Sequence, residues 1–189
     1  MTKAQLRSIY KEKRKLILPQ QKTTWTDLIL INFQKIDLPF ITCVHTYLAM
    51  YDHNEIATQQ ILGYLKFRNP GLQISIPKVN TESGQIEHFI YKEDMVMVIN
   101  KFGVKEPFDG DKIDATDIEV VLTPLLSFDK KGNRVGFGKG YYDRFFSQCR
   151  SDVLKIGLSF FEAEDVIEDI NQYDIPLNFC VTPQTVYQF

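Results

Sequence analysis

The run DIEVVLTPLLSF, residues 117–128, is the most strand-like stretch of the chain. It is apolar, rich in β-branched residues, and far shorter than the roughly 20 residues that cross a bilayer. It feeds a turn, DKKGNR. Further buried strands are expected in ITCVHTYLAMY (41–51) and LKIGLSF (154–160), and shorter ones in LQISIPKV, IEHFIY and MVMVI, the first two separated by the turn-like NTESG. Helical patterns fall between them. Leu6, Ile9, Tyr10, Lys13, Leu16 and Ile17 recur at three- and four-residue spacing, which predicts an amphipathic helix over 3–17 with a basic outer face. Pro19 closes it and opens a second helix that carries Trp25, Leu28, Ile29 and Phe33 on one side. Thr58 caps a third through QQILGYLKF, which RNPG stops, and YYDRFFSQC (141–149) reads as a fourth. Helices interleaved with short buried strands predict one α/β domain over 1–189, a three-layer α/β/α arrangement with a mostly parallel central sheet.

Composition narrows the function classes. A chain of 189 residues with 44% hydrophobic and 24% charged content suits one core. The net charge of -2 argues against a broad nucleic-acid footprint or a polybasic membrane surface. Cys43, Cys149 and Cys180 stand far apart without CxxC spacing, which supports neither zinc nor a disulfide framework. The basic N-terminus is interrupted by charge throughout and lacks the apolar core of a signal peptide. The expectation is a reduced, cytoplasmic, monomeric protein.

The chemistry concentrates in GNRVGFGKGYYDR, residues 132–144. A loop after a strand and before a helix is where α/β sheets collect ligands, and phosphate is the natural guest. A Walker loop ending on Gly138 and Lys139 would need glycine at 133 and serine or threonine at 140, where this chain has Asn133 and Gly140. The dinucleotide fingerprint would need a small residue at 141, which is Tyr141, and would stand earlier in the chain. Instead Gly136, Gly138 and Gly140 alternate, which lets backbone approach a ligand closely while Lys139 and Arg134 bring charge. An exposed hairpin followed by a flexible connection is the bland alternative. The abutting Tyr141, Tyr142 and Asp143 argue against it.

VVLTPLLSFDKKGNRVGFGKGYYDRFF, residues 120–146, resembles the signature of the 5-formyltetrahydrofolate cyclo-ligase (methenyltetrahydrofolate synthetase) family. The resemblance runs the length of the chain, through Lys3 and Arg7 on the first helix, Glu55 in NEIAT, SIPKV around Pro77 and Lys78, FGVKEP around Glu106 and Pro107, and Asp174 in YDIPLNFCVTP. It implies an enzyme that uses ATP and Mg2+ to convert 5-formyltetrahydrofolate to 5,10-methenyltetrahydrofolate, releasing ADP and phosphate. The formyl oxygen would take the γ-phosphoryl group, and N10 would then close the ring as phosphate leaves.

The resemblance also assigns residues. Lys139, Arg134 and Tyr141 become catalytic, and Lys3, Arg7 and the loop from Arg134 through Val135, Gly136, Phe137, Gly138, Lys139 and Gly140 to Tyr141 and Tyr142 hold the nucleotide. Met50, Glu55 and Tyr141 contact the folate, with Tyr51 and Phe102 as further apolar walls, and Asp143 and Asp174 bind magnesium. Residue by residue there are plainer readings. Lys3 and Arg7 suit a solvated basic face, Asp143 complements a helix dipole, Asp174 is a loop acid before Pro176, and Glu55 is a surface acid before Thr58. Phe137 departs from relatives that carry arginine or tyrosine there. His45, His53 and His88 show no metal spacing and receive no role. Two other functions remain open at this level: a non-catalytic nucleotide- or RNA-associated module on the same fold, and a kinase for another small acid.

Overall fold

The computed structural model describes residues 1–101 and 103–189; Phe102 and the side chain of Tyr51, two expected walls of the folate site, lie outside the described residues. In chain order the elements are α1 (Lys3–Lys15), α2 (Pro19–Phe33), β1 (Cys43–His45), α3 (Gln59–Arg68), β2 (Gln73–Asn80), β3 (Gln85–Ile90), β4 (Met97–Ile99), β5 (Lys105–Pro107), β6 (Lys112–Ile113), β7 (Val120–Pro124), β8 (Ser127–Phe128), β9 (Arg134–Val135), α4 (Tyr141–Phe146), β10 (Leu154–Leu158), β11 (Phe179–Val181) and β12 (Val186–Gln188).

Eight strands form one sheet in the order β12-β11-β10-β7-β1-β2-β3-β6. The middle five, β11 to β2, run parallel, and β12, β3 and β6 complete the edges antiparallel. Period-two alternation sends neighbouring side chains to opposite faces. Val44, Val120 and Leu122 therefore join Ile29 and Phe33 of α2 and Ile61 and Leu65 of α3 in the larger core, while Cys43 and Val121 meet Phe145 and Phe146 of α4 on the other side. Helices on both faces of a mostly parallel sheet give the expected three-layer architecture.

Several boundaries differ from the sequence expectation, each for a local reason. The run 41–51 is a strand only at Cys43–His45. Thr46 makes one further bond to the Ser75 carbonyl, and the Tyr47 hydroxyl then donates to the Ile56 carbonyl at 2.8 Å, turning the chain into a buried loop. DIEVVLTPLLSF divides at Pro124, which has no N–H to extend a ladder. Beyond this proline β8 and β9 pair as a small hairpin, so strand, hairpin, loop and helix replace the expected strand, loop and helix. MVMVI stays out of the main sheet and pairs with β5 in a separate ribbon. Thr58 precedes α3 without capping it, since its side chain makes no cap bond and its hydroxyl receives that of Thr46 at 2.9 Å. The buried stripe of α1 is Leu6, Tyr10 and Arg14; Leu16 is exposed.

The hairpin is no exposed connector. Phe128 and Val135 are fully buried, and the turn is held by the Asp129 carboxylate, which accepts the N–H groups of Lys131, Asn133 and Ile167 at 2.9–3.1 Å. α1 packs on this hairpin through Leu6 and Tyr10 against Leu126 and Val135. Its start is fixed by a capping box between Thr2 and Gln5, and its last turn carries Lys13, Arg14 and Lys15, which complement the dipole.

Two buried imidazoles lie beneath α4. The His45 and His88 rings meet at 5.1 Å, and His88 lies 4.1 Å from Phe145. Burial pushes His45 well below its ordinary pKa and His88 down to about 4. Because the unfolded chain takes up the His88 proton first, near its ordinary 6.5, the contribution of His88 to stability is intact above that pH and is lost as pH falls toward 4. Chemical denaturation should show a loss across this window that is about 3 kcal/mol smaller in His88→Phe than in the wild type, the share of His45 remaining; an unchanged slope in that variant would contradict the assignment.

Candidate functional site

The sheet changes direction between β1 and β7. From β1 the chain proceeds to β2 on one side, whereas β7, β10 and β11 follow on the other. Ligands in open α/β sheets sit beyond the carboxyl ends of strands at such a switch point. The loop after β1 carries Met50 and Glu55, and the segment after β7 carries the hairpin and the glycine loop. α1 lies against both, since it packs on β8, β9 and the 3-10 turn Tyr51–His53.

Arg7 ties these parts together. Its Nε donates to the Gly136 carbonyl at 2.9 Å, and its guanidinium lies where a Cβ on Gly138 would come within 3.2 Å of Cζ. Gly138 and Gly140 have φ of 94° and 66°, in the left-handed region that favours glycine. Phe137, which the sequence left unexplained, packs toward α1: its ring meets His53 at 5.7 Å and lies under the Lys11 ammonium at 5.7 Å. It anchors the loop by packing against α1 and the 3-10 turn.

The charges fall into two groups. Lys3 is paired with Asp174, and the buried Arg134 with Asp143 at 2.8 Å, while Arg134 also donates to the Ile175 carbonyl. The sequence placed Arg134 beside Lys139 as a source of charge for phosphate; its guanidinium is buried and bonded to the Asp143 carboxylate and the Ile175 carbonyl. Burial lowers its pKa, and Asp143 opposes that effect. Among the described residues Arg7 and the exposed Lys139 have no carboxylate partner. Val135 is likewise buried, with its carbonyl taken by the Leu126 N–H at 2.7 Å, so it supports the loop from below.

Asp143 uses Oδ1 for Arg134 and the Ile175 N–H, and Asp174 uses Oδ2 for Lys3 and the Asn171 N–H. Among the described residues the second oxygen of each carboxylate takes no hydrogen bond. Two half-buried acids next to the glycine loop are donors of the kind Mg2+ uses, which needs one or two carboxylates plus phosphate oxygens. No cluster of three or more His, Cys, Asp or Glu that could hold a metal occurs among the described residues.

The tyrosine pair divides. Tyr142 packs beneath the loop on His45, Phe145 and Phe146, with its hydroxyl enclosed and unpartnered. Tyr141 is half-buried with the Arg144 guanidinium 5.2 Å from its ring, and Arg144 donates to the Lys139 carbonyl at 3.0 Å.

Glu55 is a buried acid, only 3% exposed, where a surface acid was the plain alternative. Its Oε2 accepts the Met50 N–H at 2.9 Å. Burial pushes its pKa up, against the Met50 bond and the charges of Arg14 and Lys22. Arg14 was missed by the sequence reading. The signal was available: it is the third residue of the i, i+4, i+8 stripe begun by Leu6 and Tyr10, a place where a charge is out of pattern.

An open cavity of about 660 Å3, lined by Thr42, Gln73, Asp111, Glu119 and Arg150, lies at the opposite ends of the strands. It touches neither the glycine loop nor Glu55. A second, of about 440 Å3, opens between α1, α2 and the segment after β10. Neither displaces the switch point, where the two loops and α1 converge.

The family model of the 5-formyltetrahydrofolate cyclo-ligase family matches residues 1–183. The 5-formyltetrahydrofolate cyclo-ligase of Escherichia coli K12 is 24% identical over 95% of this chain and 99% of its own. A probable 5-formyltetrahydrofolate cyclo-ligase of Schizosaccharomyces pombe is 31% identical over 61% of this chain, and the Mycoplasma genitalium enzyme 35% identical over 44%. These two matches span 64% and 52% of the relatives' lengths. In fold, the 5,10-methenyltetrahydrofolate synthetase of Aquifex aeolicus superposes with a TM-score of 0.79 at 23% identity, covering 100% of this chain and 93% of that one. That of Mycoplasma pneumoniae superposes at 0.77 and 22%, covering 97% and 99%. Every relative cited is named for an enzyme, and the match from Met1 to residue 183 takes in both loops of the switch point and α1: this chain belongs to the 5-formyltetrahydrofolate cyclo-ligase family.

Proposed function

We propose that this protein converts 5-formyltetrahydrofolate to 5,10-methenyltetrahydrofolate with ATP and Mg2+, as a monomeric cytoplasmic enzyme. The observation that carries the reading is the meeting of a buried carboxylate, Glu55, and a glycine loop with a free cation, Lys139, across one switch point. A kinase for another small acid would need the loop but not Glu55.

In this reading Glu55 receives the ring N–H groups of the pterin, since an ionised carboxylate only accepts. Met50, whose N–H already fixes Glu55, and Tyr141 border the ring. ATP supplies the phosphoryl group that turns the formyl oxygen into a leaving group, and Mg2+ screens the phosphate charge. The chain's task is positioning and charge neutralisation. Lys139 and Arg7, free of carboxylates, face the phosphates together with the backbone at Gly136, Gly138 and Gly140. Asp143 and Asp174 would hold the metal in place of their present partners Arg134 and Lys3, whose charges would then be available to the anion. Lys3 then joins the nucleotide contacts. Glycine at 138 and 140 leaves room for phosphate where a side chain would intrude on Arg7 or Arg144.

Purified protein mixed with ATP, Mg2+ and 5-formyltetrahydrofolate should develop the near-ultraviolet absorbance of the methenyl product. No product, or ATP turnover only with another acid, would overturn the reading. Lys139→Ala should lower kcat/KM by about 100-fold or more, with the melting temperature unchanged. Gly138→Ala, strained at φ 94° and crowding Arg7, should raise the KM for ATP about tenfold and leave that for folate alone. Chelation should stop turnover and added Mg2+ restore it, whereas Asp143→Asn should stay inactive at Mg2+ levels that saturate the wild type.

A further inference from the structure

Arg14 sits in the last turn of α1 with 4% of its surface exposed. An arginine does not lose its charge in a protein, and a buried charge is retained only where something balances it. Its Nη2 donates to the Leu125 carbonyl, but Nε and Nη1 are enclosed without a partner. Burial lowers its pKa, Glu55 and the Tyr47 phenol oppose that effect, and among the described residues no carboxylate closes a direct ion pair with it.

Glu55 is in the complementary position. It is buried, and the charged groups facing it are Arg14 from α1 and Lys22 from α2. Two phenols, Tyr47 from the loop after β1 and Tyr142 from α4, complete its surroundings, and burial raises the pKa of both, so neither carries charge near neutrality. A carboxylate so enclosed would take up a proton and become a donor unless the cations hold it ionised. The backbone of Arg14 acts on the same loop. Its carbonyl accepts the Asn54 side-chain N–H at 3.0 Å, and Asn54, next to Glu55, has a φ of 48°, a conformation that asparagine tolerates better than most residues.

We propose that Arg14 is a positioning residue of the substrate site, the internal counter-ion that keeps Glu55 an anion turned toward the bound ring; this rests on the reading of Glu55 as the folate contact. The arginine acts through Glu55 and does not itself touch substrate. The side chain sets the charge of the site and the backbone sets the position of the loop that carries it.

The test is a double-mutant cycle read by 5-formyltetrahydrofolate binding, with Arg14→Met, Glu55→Gln, the two combined, and the wild type. Arg14→Met should weaken folate binding about tenfold in the wild-type background and less than about twofold once Glu55 is glutamine, because groups that act as a unit are not additive. Its acid limb should move to higher pH, since Glu55 deprived of its cation takes up a proton more readily. Arg14→Lys, which keeps the charge, should restore most of the affinity and the wild-type limb, and ATP affinity should not change. Equal losses with and without Glu55, or a joint fall in folate affinity, ATP affinity and melting temperature, would reduce Arg14 to a structural role. Wild-type protein that fails to bind 5-formyltetrahydrofolate would overturn the assignment of Glu55, and the counter-ion role with it.

Discussion

The site depends on the parallel pairing of β1 with β7, in which Val44 stands opposite Val120. These two central strands carry the chain away to opposite sides of the sheet, so the loops that extend from them open toward each other without a strand between. One loop brings Glu55 and the other the glycine run, and the two meet directly where the Phe137 ring lies 5.7 Å from His53. The rest of the connection is made by α1, whose Leu6 and Tyr10 pack on the hairpin, whose Arg7 holds the Gly136 carbonyl, and whose Arg14 carbonyl holds Asn54. A helix that in the sequence looks like a basic surface element is therefore the clamp across the switch point.

Charge is distributed according to the same plan. Asp143 is paired with Arg134 and Asp174 with Lys3, while among the described residues Arg7 and Lys139 have no carboxylate partner. Partly buried pairs of this kind are screened less than surface pairs, and exchanging a paired cation for a divalent ion reorganises the local field with little movement of the chain. In the proposed reading one binding event would place both the metal and the freed cations, while Phe137 fixes the loop against α1 and His53.

Much of this was legible in the sequence. The strand-rich runs and the helical spacings gave the three-layer fold, because burial on both faces imposes long apolar stretches on central strands. The density of glycine and the YYD sequence marked the loop. What the sequence hid was tertiary. Nothing local shows that Pro124 ends the sheet and begins a buried hairpin, or that Arg134 is buried and paired with Asp143. Glu55 reads as a surface acid because its burial is created by residues far away in the chain, among them Arg14 and Tyr142. Arg14 was the one hidden residue with a local signal, a charge on the apolar stripe of its helix.

The central claim is that the folate's own formyl oxygen, held between the Glu55 loop and the glycine loop, is the atom that receives the phosphoryl group. Labelling that oxygen with the heavy isotope and analysing the products of a single turnover tests it most directly. The label is predicted to leave in inorganic phosphate as N10 closes the ring. Label found in water, with unlabelled phosphate, would contradict it.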